Sequence, residues 1–325
     1  MLKPLVGVEN DGPGDAAVVR PILSSRRGLA ISCGMNPHFG ELDPYHMATS
    51  SIDEAIRNCV AVGADPDRIA ILDNFCWGYT DRPETLGTLV RAALACHDLS
   101  KVYHTPFISG KDSLNNEFSY TDADGQRQTI SIPSTLLISA MGQVDDTRKC
   151  VSMDLKQSGN AIYLVGKTGA HLGGSHFALI RNLDGGNVPT VDAQYNRETF
   201  KRMHQAISAG QIRACHDLSE GGLAVAISEM AFAGGFGVHL DIKGLCDRDE
   251  IDSIVALFSE SNGRFVCEVE PDQKDAFENS LQDRCCLIGT VTDGSDVKIV
   301  KAESELIRGE LGTFKSAWQK PLDWK

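Results

Sequence analysis

The chain has 325 residues, 42% hydrophobic and 23% charged, the proportions of an ordinary globular protein long enough for two domains. A formal net charge of -13 excludes a general nucleic-acid binder, which needs clustered lysine and arginine to neutralise phosphates. The ten cysteines contain no CxxC pair, and neither a signal peptide nor an apolar run of membrane-spanning length is evident, so no zinc site, disulfide framework or membrane span is indicated and the expected compartment is the cytoplasm.

In chain order, residues 5–21 (LVGVENDGPGDAAVVRP) read as a glycine- and acid-rich loop feeding a short apolar run. Gly12 and Gly14 permit close backbone approach while Asp11 and Asp15 offer carboxylates, although a plain turn accounts equally well for DGPGD alone. Residues 28–33 have the composition of a strand, and 34–40 form a loop. Asp43-Pro44 then signals an N-cap with proline at the first helical position, and Gly63 signals the stop. Ile52, Ala55, Ile56, Cys59, Val60 and Val62 give this helix an apolar stripe suited to packing on a sheet. Glu54 and Asn58, four residues apart, leave the same side of the helix, where a carboxylate beside a carboxamide suits Mg²⁺. The alternative is a solvated face on which Glu54 pairs with Arg57 or Arg26.

Residues 68–74 form a buried-type strand ending in Asp73 and Asn74, and 75–78 make a turn. A second helix is expected over 83–104, then a short strand over 106–114 that runs into Gly110, Lys111, Asp112 and Ser113. That set can bind a phosphate, but GKDS lacks the spacing of a P-loop. A hairpin over 120–132 turns at Asp124-Gly125, a strand follows over 134–141, and the polar segment 145–159 marks a boundary. The first domain thus holds about four strands and two long helices.

The second domain opens with a strand over 160–165 and the glycine-rich loop 166–175, which serves either an anion at a helix N-terminus or turning alone. A helix over 197–209 precedes a strand over 212–215 that delivers His216, Asp217 and Ser219 to the start of a helix over 223–233. Asp217 and Ser219 are placed for a ligand there, and His216 has the simpler reading of a packed histidine. Next come a strand over 236–242, a helix over 248–258, a strand over 264–269, a helix over 271–281 and strands over 287–292 and 297–300. The tail is expected to be a helix anchored by Trp318, Pro321 and Trp324. CHDLS recurs at 96 and 215, a coincidence, since the first copy lies inside a helix.

GDAAV (14–18), DEAIRN (53–58), VGADP (62–66), ILDN (71–74), ISGKDSLNN (108–116), LGGS (172–175) and HDLSEGGL (216–223), in this order and spacing, resemble the phosphoribosylformylglycinamidine synthase family of purine biosynthesis. The resemblance covers about residues 6–300 and is to the second of two tandem aminoimidazole-ribonucleotide-synthetase-like modules. It implies an α+β fold with an N-terminal sheet and helix domain over 1–150, whose sheet joins a sister sheet in an eight-stranded barrel. An α+β sandwich with a mixed sheet follows over 151–305, then a tail over 306–325. Without the sister module in the chain, a homodimer is expected. The chain opens within a few residues of a motif, as a separately encoded or separately produced half would.

The implied activity is that of an ATP-dependent ligase. Formylglycinamide ribonucleotide (FGAR), ATP and ammonia from a glutaminase partner give the amidine, ADP and phosphate, and this half is inactive alone because the first module supplies the catalytic histidines. The resemblance makes Asp15, Glu54, Asn58 and Asp217 magnesium ligands of an auxiliary nucleotide site, with Gly14 and Ser219 touching ATP or ADP. It assigns Asp73 and Gly110 to a nucleotide and Ser113 to the substrate of the composite site. Lys111 stands where small members of the family often carry a metal-binding asparagine, so no metal is assigned to it. The alternatives are a non-catalytic nucleotide-binding scaffold, or another enzyme of the superfold such as aminoimidazole ribonucleotide synthetase, selenophosphate synthetase or thiamine-monophosphate kinase.

Overall fold

A computed structural model describes residues 1–322. The N-terminal part begins with the paired short strands β1 (Leu5–Val6) and β2 (Gly12–Pro13), then β3 (Ala17–Val19) and β4 (Gly28–Gly34). Helices α1 (Pro37–Leu42) and α2 (Pro44–Ala61) lead to β5 (Ile69–Cys76), α3 (Pro83–Tyr103) and β6 (Phe107–Ser113). The hairpin β7 (Glu117–Thr121) and β8 (Arg127–Ser131) and the long strand β9 (Thr135–Val144) complete it. The sheet order is β3-β4-β9-β5-β6, with β5 and β6 parallel and the other pairs antiparallel. It holds five strands rather than the expected four, because the three apolar residues of β3 pair with β4 although they are too few to show a period of two. Among the described residues the sheet stays open, with β3 and β6 at its edges.

Helix α2 organises the molecule. Asp43 caps it by accepting from the amides of Tyr45 and His46 at 2.9 and 3.1 Å, and Pro44 fits the first turn because its missing N–H has no intrahelical partner to lose. The sequence suggests one apolar face, yet nearly the whole helix is buried, from Met47 through Ala61 without a break. The apolar stripe packs on β4 and β9, and the polar side faces α5 and β11 of the C-terminal part instead of water. A solvated pairing of Glu54 with Arg57 or Arg26 is therefore excluded, since Arg57 is 2% exposed and is held by Asp53 and Asp217.

The C-terminal part contains β10 (Ala161–Val165), α4 (His176–Arg181), α5 (Ala193–Ser208), β11 (Ala214–Asp217), α6 (Gly222–Gly234) and β12 (Gly237–Asp241). It continues through α7 (Lys243–Asp249), α8 (Ser253–Phe258), β13 (Phe265–Val269), α9 (Lys274–Leu281), β14 (Cys285–Thr292), β15 (Asp296–Lys301), β16 (Ser304–Glu310) and α10 (Leu311–Gln319). The seven strands order as β11-β13-β10-β14-β12-β15-β16, mixed through the single parallel pair β12 and β15. Two expectations are corrected here. The helix over 248–258 is two helices, because Glu250 adopts a left-handed conformation (φ 55°) and Asp252 restarts the helix by accepting from the Val255 amide at 2.9 Å. The tail is not all helix, since β16 pairs with β15 first, its residues mostly exposed and so without an apolar alternation to read. The expected anchor Trp324 lies outside the described residues.

Candidate functional site

The site is built where β4, α2, β11 and the loop before β3 meet. Gly34 lets β4 approach α2, since a Cβ there would lie 2.2 Å from the Ser51 carbonyl oxygen. That contact hangs the polar side of the helix on the strand end. Asn58 Nδ2 donates to the Cys33 carbonyl at 3.2 Å, and Glu54 Oε2 accepts from the Met35 amide at 3.1 Å and from Asn36 Nδ2 at 2.7 Å. Asp15 arrives from the N-terminal loop, where its Oδ1 accepts from the Asp217 amide and His216 Nδ1, both at 2.8 Å.

The result is a cavity of about 520 Å³ whose walls include Gly14, Asp15, Glu54, Asn58, Asp217 and Ser219. These residues come from three stretches far apart in sequence, so the expected ligand set does converge. Asp73, Gly110 and Ser113 do not join it. They lie on β5 and β6, where Asp73 faces Gly110 across the parallel pair and a Cβ on Gly110 would sit 2.3 Å from Asp73 Oδ1. Ser113 Oγ donates to Asn74 Oδ1 at 3.1 Å and accepts from Lys111 Nζ at 2.6 Å. Burial, and secondarily the neighbouring Asp112, raises the Asp73 carboxyl above its ordinary range.

Charge in the cavity is held in place by buried Arg57 and His216. Arg57 donates from Nε and Nη2 to Asp217 Oδ2 at 3.2 and 3.1 Å and from Nη2 to Ser219 Oγ at 2.8 Å, while Ser219 donates to the same carboxylate oxygen. Burial works to raise the Asp217 carboxyl, but Arg57 and His216 outweigh it and the group titrates below its ordinary value. Burial also works to lower His216, yet Asp15 on Nδ1 and Glu229 on Nε2, at 2.8 and 3.1 Å, push it well above a free imidazole. His216 is therefore clamped between two carboxylates, Asp15 at Nδ1 and Glu229 at Nε2. Among the described residues no cation is hydrogen-bonded to Glu54, and the pull of nearby Arg57 is outweighed. Burial, and then the nearby Glu220, raises the Glu54 carboxyl well above an ordinary glutamate.

Two buried oxygens, Asp15 Oδ2 and Asn58 Oδ1, have no hydrogen-bond partner among the described residues. Buried acceptors without donors are costly, and a cation would satisfy both while offsetting the burial that raises the Asp15 and Glu54 carboxyls. Asp15, His216 and Asp217 also lie within ligand distance of one another, their candidate atoms all within 4.8 Å. His216 is nevertheless a poor ligand, because both ring nitrogens are already hydrogen-bonded to carboxylates. The all-oxygen set of Asp15, Glu54, Asn58 and Asp217 fits a hard cation such as Mg²⁺ better.

Other expectations resolve differently. Asp11 points away from the cavity and binds Lys315 Nζ at 2.8 Å and Gln319 Nε2 at 3.0 Å. The glycine-rich loop serves close packing, since a Cβ on Gly173 would meet Gly186 at 2.7 Å and one on Gly174 the His38 carbonyl at 2.8 Å. The His176 amide at the start of α4 already donates to Glu260 Oε1 at 2.8 Å, as does the Gly221 amide. Sequence reasoning missed the roles of Arg57, His216, Glu229 and the cavity-wall residue Trp318. The spacing of Asp53 and Arg57, four apart on a helix, was the one available signal for the buried pair.

Residues 13–132 match the N-terminal domain, and residues 157–302 the C-terminal domain, of AIR synthase related proteins. The phosphoribosylformylglycinamidine synthase subunit PurL of Bartonella bacilliformis is 33% identical over 290 residues, which are 88% of this chain and 37% of that protein. In fold, PurL of Thermotoga maritima complexed with FGAR superposes with a TM-score of 0.74 at 17% identity, covering 96% of this chain and 49% of that one. The same protein complexed with ATP gives 0.71 at 15% identity, covering 96% and 47%. The chain therefore spans less than half the length of these relatives.

Proposed function

Since this chain belongs to the AIR synthase related family and carries both of its domains in order, we propose that it is the second synthetase module of a phosphoribosylformylglycinamidine synthase. In this reading it binds a Mg-nucleotide and completes a composite site in which FGAR, ATP and ammonia yield the amidine. The observation that carries the reading is the convergence of Asp15, Glu54, Asn58 and Asp217 on one cavity, with two buried oxygens left unpartnered.

The roles follow from the contacts. Asp15, Glu54, Asn58 and Asp217 would hold Mg²⁺, which would supply the positive charge that neutralises the phosphates of ATP or ADP. Arg57 fixes the Asp217 carboxylate in orientation, and His216 does the same for Asp15. Gly14, whose Cβ would meet the Pro4 carbonyl oxygen at 2.9 Å, keeps the loop close to the cavity, and Ser219 reaches it from the end of β11. Asp73, Gly110 and Ser113, on the β5 and β6 side of an open sheet, suit a second site shared with a sister module that also supplies the catalytic histidines. Ammonia would come from a glutaminase partner. No helix among the described residues is long and apolar enough to cross a membrane, which accords with a cytoplasmic location.

A specific observation favours a second reading, a structural nucleotide site that does not turn over. Both nitrogens of His216 are engaged by carboxylates that line or back the cation site, and Arg57 is locked between Asp53 and Asp217, so both groups serve to hold the site's acids in place. Reconstitution separates the readings. Adding a first synthetase module to this chain should give ATP- and ammonia-dependent amidine formation from FGAR, whereas a well-folded pair without activity would count against the synthase reading. In the resulting enzyme, loss of bound nucleotide on Asp217→Ala without a change in rate would mark the site as structural.

A further inference from the structure

The cavity wall combines charged and apolar groups. Asp15, Glu54, Asp217, Glu220 and Glu229 line it together with Pro13, Val225, Ala226 and Trp318, so an aromatic ring shares one cavity with the carboxylates. Trp318 belongs to α10, an element beyond the family matches, which end at residue 302. The helix is firmly seated. Leu311 is buried, Phe314 packs on the C-terminal core, and Lys315 and Gln319 are tied to Asp11. The indole rests on the Phe232 ring, with centroids 5.8 Å apart and planes at 43°, and keeps 37% of its surface exposed.

We propose that Trp318 is the surface on which the base of the bound nucleotide stacks, so that the site selects nucleotides over bare polyphosphate. A nucleotide needs the same two kinds of group, a cation for its phosphates and an apolar platform for its flat base. A supported tryptophan is such a platform, because base stacking on an aromatic ring needs only an accessible ring face. Phe232 behind the ring and the Asp11 contacts along the helix hold the indole in place, so little ordering is left to be paid on binding.

The inference rests on the Mg-nucleotide reading of the cavity, and the test separates the two. Binding of ADP and of inorganic pyrophosphate, each with Mg²⁺, is measured calorimetrically for the wild type, Trp318→Ala and Trp318→Phe. Trp318→Ala is expected to weaken ADP about tenfold or more while pyrophosphate binding stays unchanged, and Trp318→Phe to fall between. Equal ADP affinity in the wild type and Trp318→Ala would overturn the stacking role and leave the cation site standing. Absence of both ligands from the wild type would bring down the cavity reading and this inference with it. Should Trp318→Ala fail to fold, tryptophan emission decides. ADP should quench the wild type and not Trp318→Phe, and equal quenching in both would refute the role.

Discussion

At the scale of single residues, Arg57 ties the cavity to the core. It joins Asp53 and Asp217, all three nearly without exposure, so removing the guanidinium takes the shared cation from two buried carboxylates, leaving Asp53 to Tyr103, Asn196 and the Gly263 amide and Asp217 to Ser219 and His216. Replacing Arg57 by Met should destabilise the fold by about 3–5 kcal/mol, the cost of breaking a buried pair from one side, read as a lower denaturant midpoint at unchanged slope. The helical spacings of Glu54 with Asn58 and of Asp53 with Arg57 were readable from the sequence. Which partner each acid would take was not, because Asp217 and Asp15 reach α2 only through the tertiary fold.

Among elements, α2 and the strand beside it set the geometry. Gly34→Ala would force β4 off the helix at Ser51 and Ala55, and this overpacking should cost about 1–3 kcal/mol, seen as a lower Tm. A second link joins the turn before β5 to α5, where Asp67 accepts from Lys201 Nζ at 2.8 Å and Arg197 Nη2 at 2.9 Å. The hydrogen bond from Lys201 is the main reason the Asp67 carboxyl is lowered. Its folded value thus lies below the unfolded one, so its stabilisation is fully present above the ordinary value near 3.8 and is lost as pH falls through the lowered value. The pair is half exposed and should contribute less than about 1 kcal/mol. Asp67→Asn should therefore lower stability slightly at neutral pH and reduce the loss on acidification, measured by denaturant unfolding at several pH values. Most elements were legible because caps and stops mark them, as Asp43-Pro44 and Gly63 do for α2. β3, β16 and the break at Glu250 were not, being respectively too short, mostly exposed and a matter of one left-handed residue.

For the whole molecule, the open sheet poses the remaining question. Ile31 and Met141 face each other across β4 and β9, and both are exposed together with Val19 and Ile108. An apolar sheet face of this kind calls for a covering partner, either a sister module or a second copy. Alone, the chain should sediment as a dimer at micromolar concentration, and Ile31→Glu with Met141→Glu should shift it to monomer. The convergence on the cavity decides the account itself, and calorimetric titration of the chain with ADP tests it most directly. One ADP should bind per chain only when Mg²⁺ is present, with at least tenfold weaker binding in Asp15→Asn and in Asn58→Ala. Binding that is indifferent to Mg²⁺ and to both substitutions, or no binding by a folded wild type, would contradict it.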